Sequence, residues 1–344
     1  MSKRRPVTIR ILASADTSPS TLFGLFDVLS SVGIGWETFV TGEPVDPQFD
    51  VRIVGATKEP FLCAGDVLVS PHLSVEEAED ADIALVASFV IPAATPPKDY
   101  DERELKWLAR QQNSGSIIAS ACTGAVMLAK SGLLNGCEAT SHWAYRDLFR
   151  IHFPEVQINL NQNLCVSGHN NRIVTSGGTT AWQELALYLT TRFCGVEHAA
   201  NTAKFWLIPN REETQAPFAA LSQGVPHEDG VVSLCQEWIA SHYQHPNPIA
   251  GMVEQSRLSS ATFSRRFKRA TGYRPMDYVH ALRIEEAKEM LEIGDEAIDE
   301  IGREVGYEDP ASFRRIFKRK VGLTPSIYRR KFSRKRFERF HEVT

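Results

Sequence analysis

Apolar runs alternate with amphipathic segments along residues 7–206, which predicts that strands and helices alternate there. Runs typical of strands lie at Val7–Leu12, Trp36–Thr41, Asp50–Gly55, Asp66–Ser70, Ala81–Ser88, Ser116–Ser120 and Asn171–Gly178. The runs at 66–70 and 81–88 are apolar enough for central parallel strands. Helical spacing of apolar residues is strong at Thr179–Phe193. The alternation favours a doubly wound α/β sandwich.

After Pro248 the pattern changes to short amphipathic helices, and one unit occurs twice. The copies run from Ile249 to Val279 and from Ala297 to Phe332, and their cores read TFSRRFKRATG and SFRRIFKRKVG. Two short helices joined by a turn, with Arg and Lys on the second, are how a chain presents a helix to the DNA major groove. One such hairpin alone is also compatible with an ordinary solvated basic face. Its repetition predicts contact with two successive major-groove segments.

Phenylalanines four residues apart define the buried face of each second helix, with Phe263 and Phe267 in one copy and Phe313 and Phe317 in the other. The side of each helix away from the phenylalanines carries small residues and arginines. The small residues allow close approach to base edges, and the arginines can contact the bases. The predicted DNA-contacting residues are Ala261, Thr262, Arg265, Arg266, Lys268, Arg269, Ala311, Ser312, Arg314, Arg315, Lys318 and Arg319.

The roles of these residues are expected to differ. Arg265 and Arg315 lie one turn inside each helix, where a guanidinium can bind guanine O6 and N7. The residues better placed for phosphates are Arg266, Lys268, Arg314, Lys318 and Lys320. Ser259 or Ser260 is expected to cap the first of these helices, and Asp309 the second.

The segment YEDPASFRRIFKRKVGLTPSIYRRKF, Tyr307–Phe332, resembles the second helix-turn-helix of the AraC-type DNA-binding domain. The resemblance covers about the last hundred residues, from Val232 to Phe332. It implies an all-α domain whose two helix-turn-helix units are bridged by a long helix, here expected at Met276–Leu291. It also implies double-stranded DNA as a partner.

Charge is divided unequally along the chain. The net charge of the 344 residues is −4, but residues from Val225 onward hold 21 Lys and Arg against 18 Asp and Glu, and the remainder holds 17 against 24. An acidic first part and a basic second part suggest two domains with different partners.

Composition also excludes several classes of protein. The sequence has no apolar run of eighteen or more residues, so we expect no membrane partner. Its six cysteines are scattered without a C-x-x-C motif, as is typical of reduced cytoplasmic thiols, and its histidines lack metal-ligand spacing. We therefore expect a cytoplasmic protein without a metal site or a cofactor.

The candidate chemistry of the first part depends on the sequence Ser120-Ala-Cys122-Thr-Gly124. A nucleophile between a strand and a helix, with small neighbours, is the elbow arrangement. The helix N-terminus behind it is expected to lower the thiol pKa and to favour an anionic ligand. Ligands of open α/β sheets bind at this edge, and the predicted pocket consists of Cys122, Thr123, His142, Trp143 and Ser176.

Ser116–Trp143 and Ile173–Leu187 resemble the PfpI/ThiJ superfamily, which implies a flavodoxin-like, class I glutamine amidotransferase-like fold over residues 7–206. With the C-terminal match, the whole chain resembles the GlxA subgroup of AraC-type regulators. The hydrolases of the superfamily have His directly after Cys, whereas this chain has Thr123. They also have a Glu on the first strand–helix loop, and Ala15–Gly24 contains none. We therefore predict no catalytic residue, and interpret Cys122 as a packed or ligand-lining thiol, with redox sensing and catalysis as alternatives.

Three functions remain open at this point: a transcriptional regulator, a cysteine hydrolase or amidase with a DNA-binding appendage, and an architectural DNA-binding protein. The resemblance and the two recognition helices favour the regulator, as a homodimer that responds to a small-molecule effector and, if an activator, contacts RNA polymerase. The predicted division is an α/β sensor and dimerisation domain at 1–210, a linker at 211–230, the DNA-binding domain at 231–333 and a basic tail at 334–344.

Overall fold

The computed structural model describes residues 5–40, 42, 46–93, 96–178, 180–209, 214–220 and 227–338. The chain divides into two compact units, Met1–Gln215 and Ala216–Thr344. Of the predicted linker, residues 211–213 and 221–226 lie outside the described residues, as do residues 339–344 of the predicted tail. Among the helices that are described, none combines the length and apolar character needed to cross a membrane.

The first unit contains a seven-stranded sheet in the order β10-β11-β7-β6-β1-β2-β5. All neighbours in it are parallel except β10, which runs antiparallel to β11. The central strands β6, β7 and β11 are buried along their whole length, as expected of parallel strands covered on both faces. The strands are β1 Val7–Leu12, β2 Phe49–Gly55, β3 Phe61–Cys63, β4 Val67–Val69, β5 Leu73–Ser74, β6 Ile83–Val86, β7 Ile117–Ala121, β8 Glu138–Ala139, β9 Gln157–Ile158, β10 Leu164–Ser167 and β11 Ile173–Ser176.

Helices cover both faces of this sheet. One core joins the sheet to Leu25 and Leu189, and the other joins it to Trp107, Met127 and Phe149. These two layers give the flavodoxin-like α/β sandwich predicted from the sequence. The helices are α1 Pro19–Ser30, α2 Gly35–Val40, α3 Glu102–Ser114, α4 Gly124–Lys130, α5 Arg146–His152, α6 Trp182–Cys194 and α7 Val196–Phe205.

One predicted strand is wrong, and a second is a strand but not the central parallel strand that was expected. The segment Trp36–Thr41 forms α2 through Val40, while Thr41 lies outside the described residues. A short aromatic and apolar run does not distinguish a strand from one helical face, and here the Phe39 ring packs on Phe205 of α7. Within Asp66–Ser70, β4 pairs antiparallel with β3 in a separate two-stranded sheet. Its Leu68 is exposed, so this run is not a central strand.

The residues of the second unit that the structure describes form helices and no strand, as predicted. Val232, Met252, Phe263, Phe267 and Val279 contribute to one core, and a second core forms around α12 and α13. Its helices are α8 Gly230–His242, α9 Pro248–Ser256, α10 Ser260–Thr271, α11 Pro275–Ile293, α12 Ile298–Glu304, α13 Pro310–Val321, α14 Pro325–Phe332 and α15 Arg334–Glu338.

The predicted bridging helix is confirmed as α11, which extends a residue or two beyond Met276–Leu291 at each end. Its Val279 packs in the core of the first helix-turn-helix, whereas Ile284, Ala287 and Leu291 pack in the core of the second. One continuous helix therefore contributes to both cores and sets the separation between the two helix-turn-helix units.

Candidate nucleic-acid interface and effector site

The two proposed recognition helices, α10 and α13, begin and end in the same way. Ser259 accepts a hydrogen bond from the Thr262 N–H, and Asp309 accepts from the N–H groups of Ala311 and Ser312. Gly272 and Gly322 adopt left-handed conformations directly after the two helices. The capping residues expected from the sequence are thus confirmed.

One side of α10 and one side of α13 pack in the hydrophobic cores of the second unit. The rings of Phe263 and Phe267 are fully buried and lie 5.4 Å apart between centroids, and those of Phe313 and Phe317 lie 5.7 Å apart. This fixed side determines which residues the helix presents outward. Of the predicted DNA-contacting residues, those that are exposed are Ala261, Arg265, Lys268, Arg269, Ala311, Arg314, Arg315, Lys318 and Arg319, while Thr262, Arg266 and Ser312 are half-buried.

Arg266 and Arg314 each have an acidic partner inside the second unit. The Arg266 Nε lies 2.6 Å from an Asp229 carboxylate oxygen, and this guanidinium holds the pKa of Asp229 below its ordinary value. Arg314 forms an ion pair of 2.5 Å with Asp299. The Arg266 side chain is therefore directed toward the N-cap of α8, while Arg314 keeps an exposed side chain.

Arg283 is a residue that sequence reasoning missed. Its side chain on α11 is only 4% exposed, and burial lowers its pKa. It donates to the carbonyls of Tyr243 and His245 at 2.7 and 3.0 Å, and its guanidinium lies 5.2 Å from the Tyr307 ring centre. Arg283 thus connects the chain at the end of α8 to Tyr307 of the second helix-turn-helix. Because Tyr243 and His245 lie far from Arg283 in the sequence, no local sequence pattern predicts these contacts.

Cys122 lies at the predicted strand–turn–helix junction between β7 and α4. Its backbone has a left-handed φ of 51°, and its N–H donates to the Ser176 carbonyl at 2.9 Å. A Cβ at Gly124 would stand 2.7 Å from the Val86 carbonyl oxygen, so the close approach of α4 to β6 requires glycine there. The junction therefore has the geometry of a nucleophile elbow.

Cys122 is buried, with only 5% of its surface exposed. Burial is the largest influence on its thiol and raises the thiol pKa. The nearby hydroxyls of Ser88 and Thr123 and the backbone N–H groups of Thr123 and His142 act in the opposite direction. The expectation that the helix N-terminus lowers this pKa is wrong, because desolvation of the thiolate outweighs the donors.

Thr123 and His142 are both engaged locally. The Thr123 hydroxyl donates to the Phe89 carbonyl at 2.5 Å, accepts from the Phe89 N–H at 2.7 Å and lies 3.0 Å from the Ser88 hydroxyl. His142 Nδ1 accepts from the Ala144 N–H at 3.2 Å, and burial lowers the pKa of the ring. Since Nδ1 of His142 already accepts the Ala144 N–H, this nitrogen is not available to take a proton from Cys122.

The other members of the predicted pocket lie beside Cys122. Ser176, at the end of the neighbouring strand β11, is fully buried, and its hydroxyl donates to the Ser120 carbonyl at 3.4 Å. Trp143 is half-buried, and its ring centroid lies 5.1 Å from that of His142. The five residues therefore come together at the carboxyl edge of β7 and β11, with His142 and Trp143 nearer the surface than Cys122.

The loop where related hydrolases have a glutamate contains Asp16 instead. Its carboxylate pairs with Lys98, whose ammonium also lies over the Phe89 and Tyr100 rings. The residues that the structure describes contain no group of three His, Cys, Asp or Glu side chains placed to hold a metal ion.

Comparison with known proteins assigns a family to each unit. Residues 22–192 match the DJ-1/PfpI family and residues 252–331 match a helix-turn-helix domain. The HTH-type transcriptional regulator CdhR of Pseudomonas aeruginosa is 24% identical over 279 residues, 80% of this chain and 80% of that protein. The HTH-type transcriptional regulator GlxA of Rhizobium meliloti is 26% identical over 273 residues, 78% of this chain and 82% of that protein.

A third relative is an enzyme. The isonitrile hydratase of Pseudomonas putida is 29% identical over 178 residues, which cover 52% of this chain and 68% of that protein. The two regulators match about four fifths of the chain, whereas the enzyme matches about half.

Proposed function

We propose that this chain, a DNA-binding transcriptional regulator that joins a DJ-1/PfpI domain to an AraC-type helix-turn-helix domain, binds a specific operator through α10 and α13. We also propose that its first unit binds a small metabolite. The observation that carries the DNA-binding part is the repeated helix with a buried phenylalanine pair and an exposed arginine. Arg265 and Arg315 occupy the same place in the two helices.

Base recognition is assigned to the arginines and positioning to the lysines. Ala261 and Ala311 are small and exposed in the first turn, so the helix can approach base edges closely. Arg265 and Arg315 follow one turn later, where a guanidinium can bind guanine bidentately. Lys268 and Lys318 are exposed point charges suited to phosphates. Arg266 and Arg314 are expected to contribute less, because each already has a carboxylate partner.

The first unit is proposed to bind its metabolite without converting it. Cys122 lies at the N-terminus of α4, which favours a ligand with a carboxylate. Cysteine catalysis needs a thiolate and a positioned base, but the Cys122 thiol has a raised pKa and His142 Nδ1 is already hydrogen-bonded. The runner-up function, a cysteine hydrolase, is supported by the enzyme relative of the first unit. Turnover of an amide or isonitrile by the purified chain, lost in Cys122→Ser, would establish it.

We also propose that the chain assembles as a homodimer and activates transcription. The family resemblance supports a cytoplasmic homodimer formed through the first unit, and activation through contact with RNA polymerase. Light scattering on the full chain at micromolar concentration tests the dimer, and a monomer there would exclude it.

Replacing Arg265 or Arg315 with alanine is expected to reduce specificity at one base step each. The loss should amount to about 1–3 kcal/mol for the preferred sequence, because each variant removes one bidentate base contact. Lys268→Ala and Lys318→Ala should instead weaken binding to all sequences alike. Competition binding with the selected duplex and single-base variants measures both effects.

Arg103→Ala is the matched control, since this exposed arginine lies on α3 of the first unit and pairs with Asp101. It should bind like the native chain. Uniform losses in the arginine variants combined with selective losses in the lysine variants would reverse the assignment of the two faces.

A further inference from the structure

Gln215 is the last residue of the first compact unit, in the segment that leads into the DNA-binding unit. It lies outside any helix or strand, yet it is only 5% exposed. A polar side chain is rarely buried at the end of a loop unless its hydrogen bonds are made by the protein. Its partners therefore indicate what the end of this unit is attached to.

The Gln215 amide is bonded on both sides. Its Oε1 accepts from the Trp143 N–H at 3.1 Å. Its Nε2 lies 2.9 Å from the Ser141 carbonyl, 3.1 Å from the Gln162 carbonyl and 3.4 Å from the Thr140 hydroxyl. Donor and acceptor are thus both satisfied, by groups that are far from residue 215 along the chain.

Room for this amide exists because residue 177 is glycine. A Cβ there would stand 2.0 Å from Gln215 Nε2, well inside contact distance, whereas a Cβ at Gly178 would stand 3.5 Å from Oε1, an ordinary contact. Gly177 directly follows Ser176 of the predicted pocket. The two glycines provide a matched pair, in which one substitution displaces Gln215 and the other does not.

Gln215 holds the residues on either side of His142. It bonds the Ser141 carbonyl and the Trp143 N–H. The Ser141 hydroxyl in turn donates to the Cys122 carbonyl at 2.9 Å. A ligand that presses on Cys122 therefore moves the backbone that Gln215 holds.

We propose that Gln215 is a positioning residue that couples the site at Cys122 to the segment leading into the DNA-binding unit. This inference rests on the proposed effector site. Occupation of the site shifts residues 141–143 and loosens the Gln215 amide, and the state of that amide alters the segment after it. Because coupling between two sites is reciprocal, DNA binding affects the effector site by the same factor.

The test compares DNA affinity across a set of full-length variants, using a duplex selected from a random pool by the native chain. Cys122→Trp stands in for an occupied site, with Cys122→Met as the second variant if the tryptophan prevents folding. Gln215→Ala and Gly177→Ala remove or displace the amide, and Gly178→Ala is the control. Circular dichroism confirms that each variant is folded.

We expect Gln215→Ala and Gly177→Ala to change the Kd for this duplex by about 5- to 150-fold, the usual range of coupling between sites, while Gly178→Ala leaves it unchanged. We also expect Cys122→Trp to change the Kd in the native background and to have less than about a twofold effect when combined with Gln215→Ala. As an independent check, hydrogen exchange at the Trp143 N–H should accelerate in Gln215→Ala and not in Gly178→Ala.

Each contrary result identifies which claim fails. An equal effect of Cys122→Trp in both backgrounds overturns coupling through Gln215 and leaves the effector site standing. A silent Cys122→Trp, with Gln215→Ala and Gly177→Ala still active, overturns the effector site and supports Gln215 as a control point for DNA binding. Native affinity in both Gln215→Ala and Gly177→Ala overturns the role of Gln215.

Discussion

The affinity of the full chain for its operator duplex is expected to fall by about 10³–10⁵ when the salt concentration rises from roughly 50 to 200 mM, if about 6–10 phosphates are contacted. The charge that drives this release of counterions is concentrated on α10 and α13, whose exposed cations include Arg265, Lys268, Arg269, Lys318 and Arg319. Fluorescence anisotropy with labelled duplex, repeated at several salt concentrations, gives the slope of log affinity against log salt concentration.

Variants separate this effect from general charge. Lys268→Ala and Lys318→Ala should each reduce the slope by about one, since each removes a phosphate contact. Lys106→Ala removes an exposed lysine of α3, which pairs with Glu102 in the first unit, and should leave the slope unchanged. An affinity indifferent to salt, or equal slopes in all three variants and the native chain, would contradict the assignment of phosphate contacts.

Glu104→Gln is expected to stabilise the chain at alkaline pH by roughly 3 kcal/mol. Glu104 is only 3% exposed on α3, and burial, reinforced by Asp101, raises its pKa from 4.5 to about 7 although Lys98 and Arg103 oppose the shift. Between pH 4.5 and about pH 7, the folded chain therefore keeps a proton on Glu104 that the unfolded chain has lost. The contribution of protonated Glu104 to stability is fully present below pH 4.5 and is lost as the pH rises through about 7. Glutamine keeps the shape without the charge.

Urea unfolding of both proteins at roughly pH 5 and pH 8 measures this difference, and the advantage of Glu104→Gln should grow by about 2–3 kcal/mol between them. Glu102→Gln is the matched control, because Glu102 is exposed on the same helix and pairs with Lys106. Its stability should follow the native chain within about 0.5 kcal/mol. A constant difference between Glu104→Gln and the native chain across this pH range would show that Glu104 is not buried as a neutral acid.

Local signals in the sequence account for most of the architecture. The caps at Ser259 and Asp309 and the phenylalanine pairs depend on residues a few positions apart, so the bounds of α10 and α13 were predictable. The junction at Cys122 was also predictable from local sequence, because small residues follow a buried strand there. The segment at Trp36 was mispredicted as a strand, and the strand in the run at Asp66 was mispredicted as central and parallel. Apolar content alone does not specify which partner a segment packs against.

The parts of the candidate site that escaped prediction depend on contacts distant in sequence. The partnership of Arg266 with Asp229 and the burial of Arg283 require the folded arrangement of several helices. The raised pKa of the Cys122 thiol reflects burial, which a motif does not reveal. Gln215 has no sequence signature, since its partners at Ser141 and Trp143 lie more than seventy residues earlier.

We propose that α10 and α13 contact two successive major-groove segments of a specific duplex. Selection from a random pool, followed by footprinting of the full chain on the selected duplex, tests this proposal. We expect two protected half-sites about one helical turn, roughly 10 bp, apart on one face of the DNA, one lost in Arg265→Ala and the other in Arg315→Ala. A footprint without preferred sequence, or a single half-site unaffected by one of the two substitutions, would contradict it.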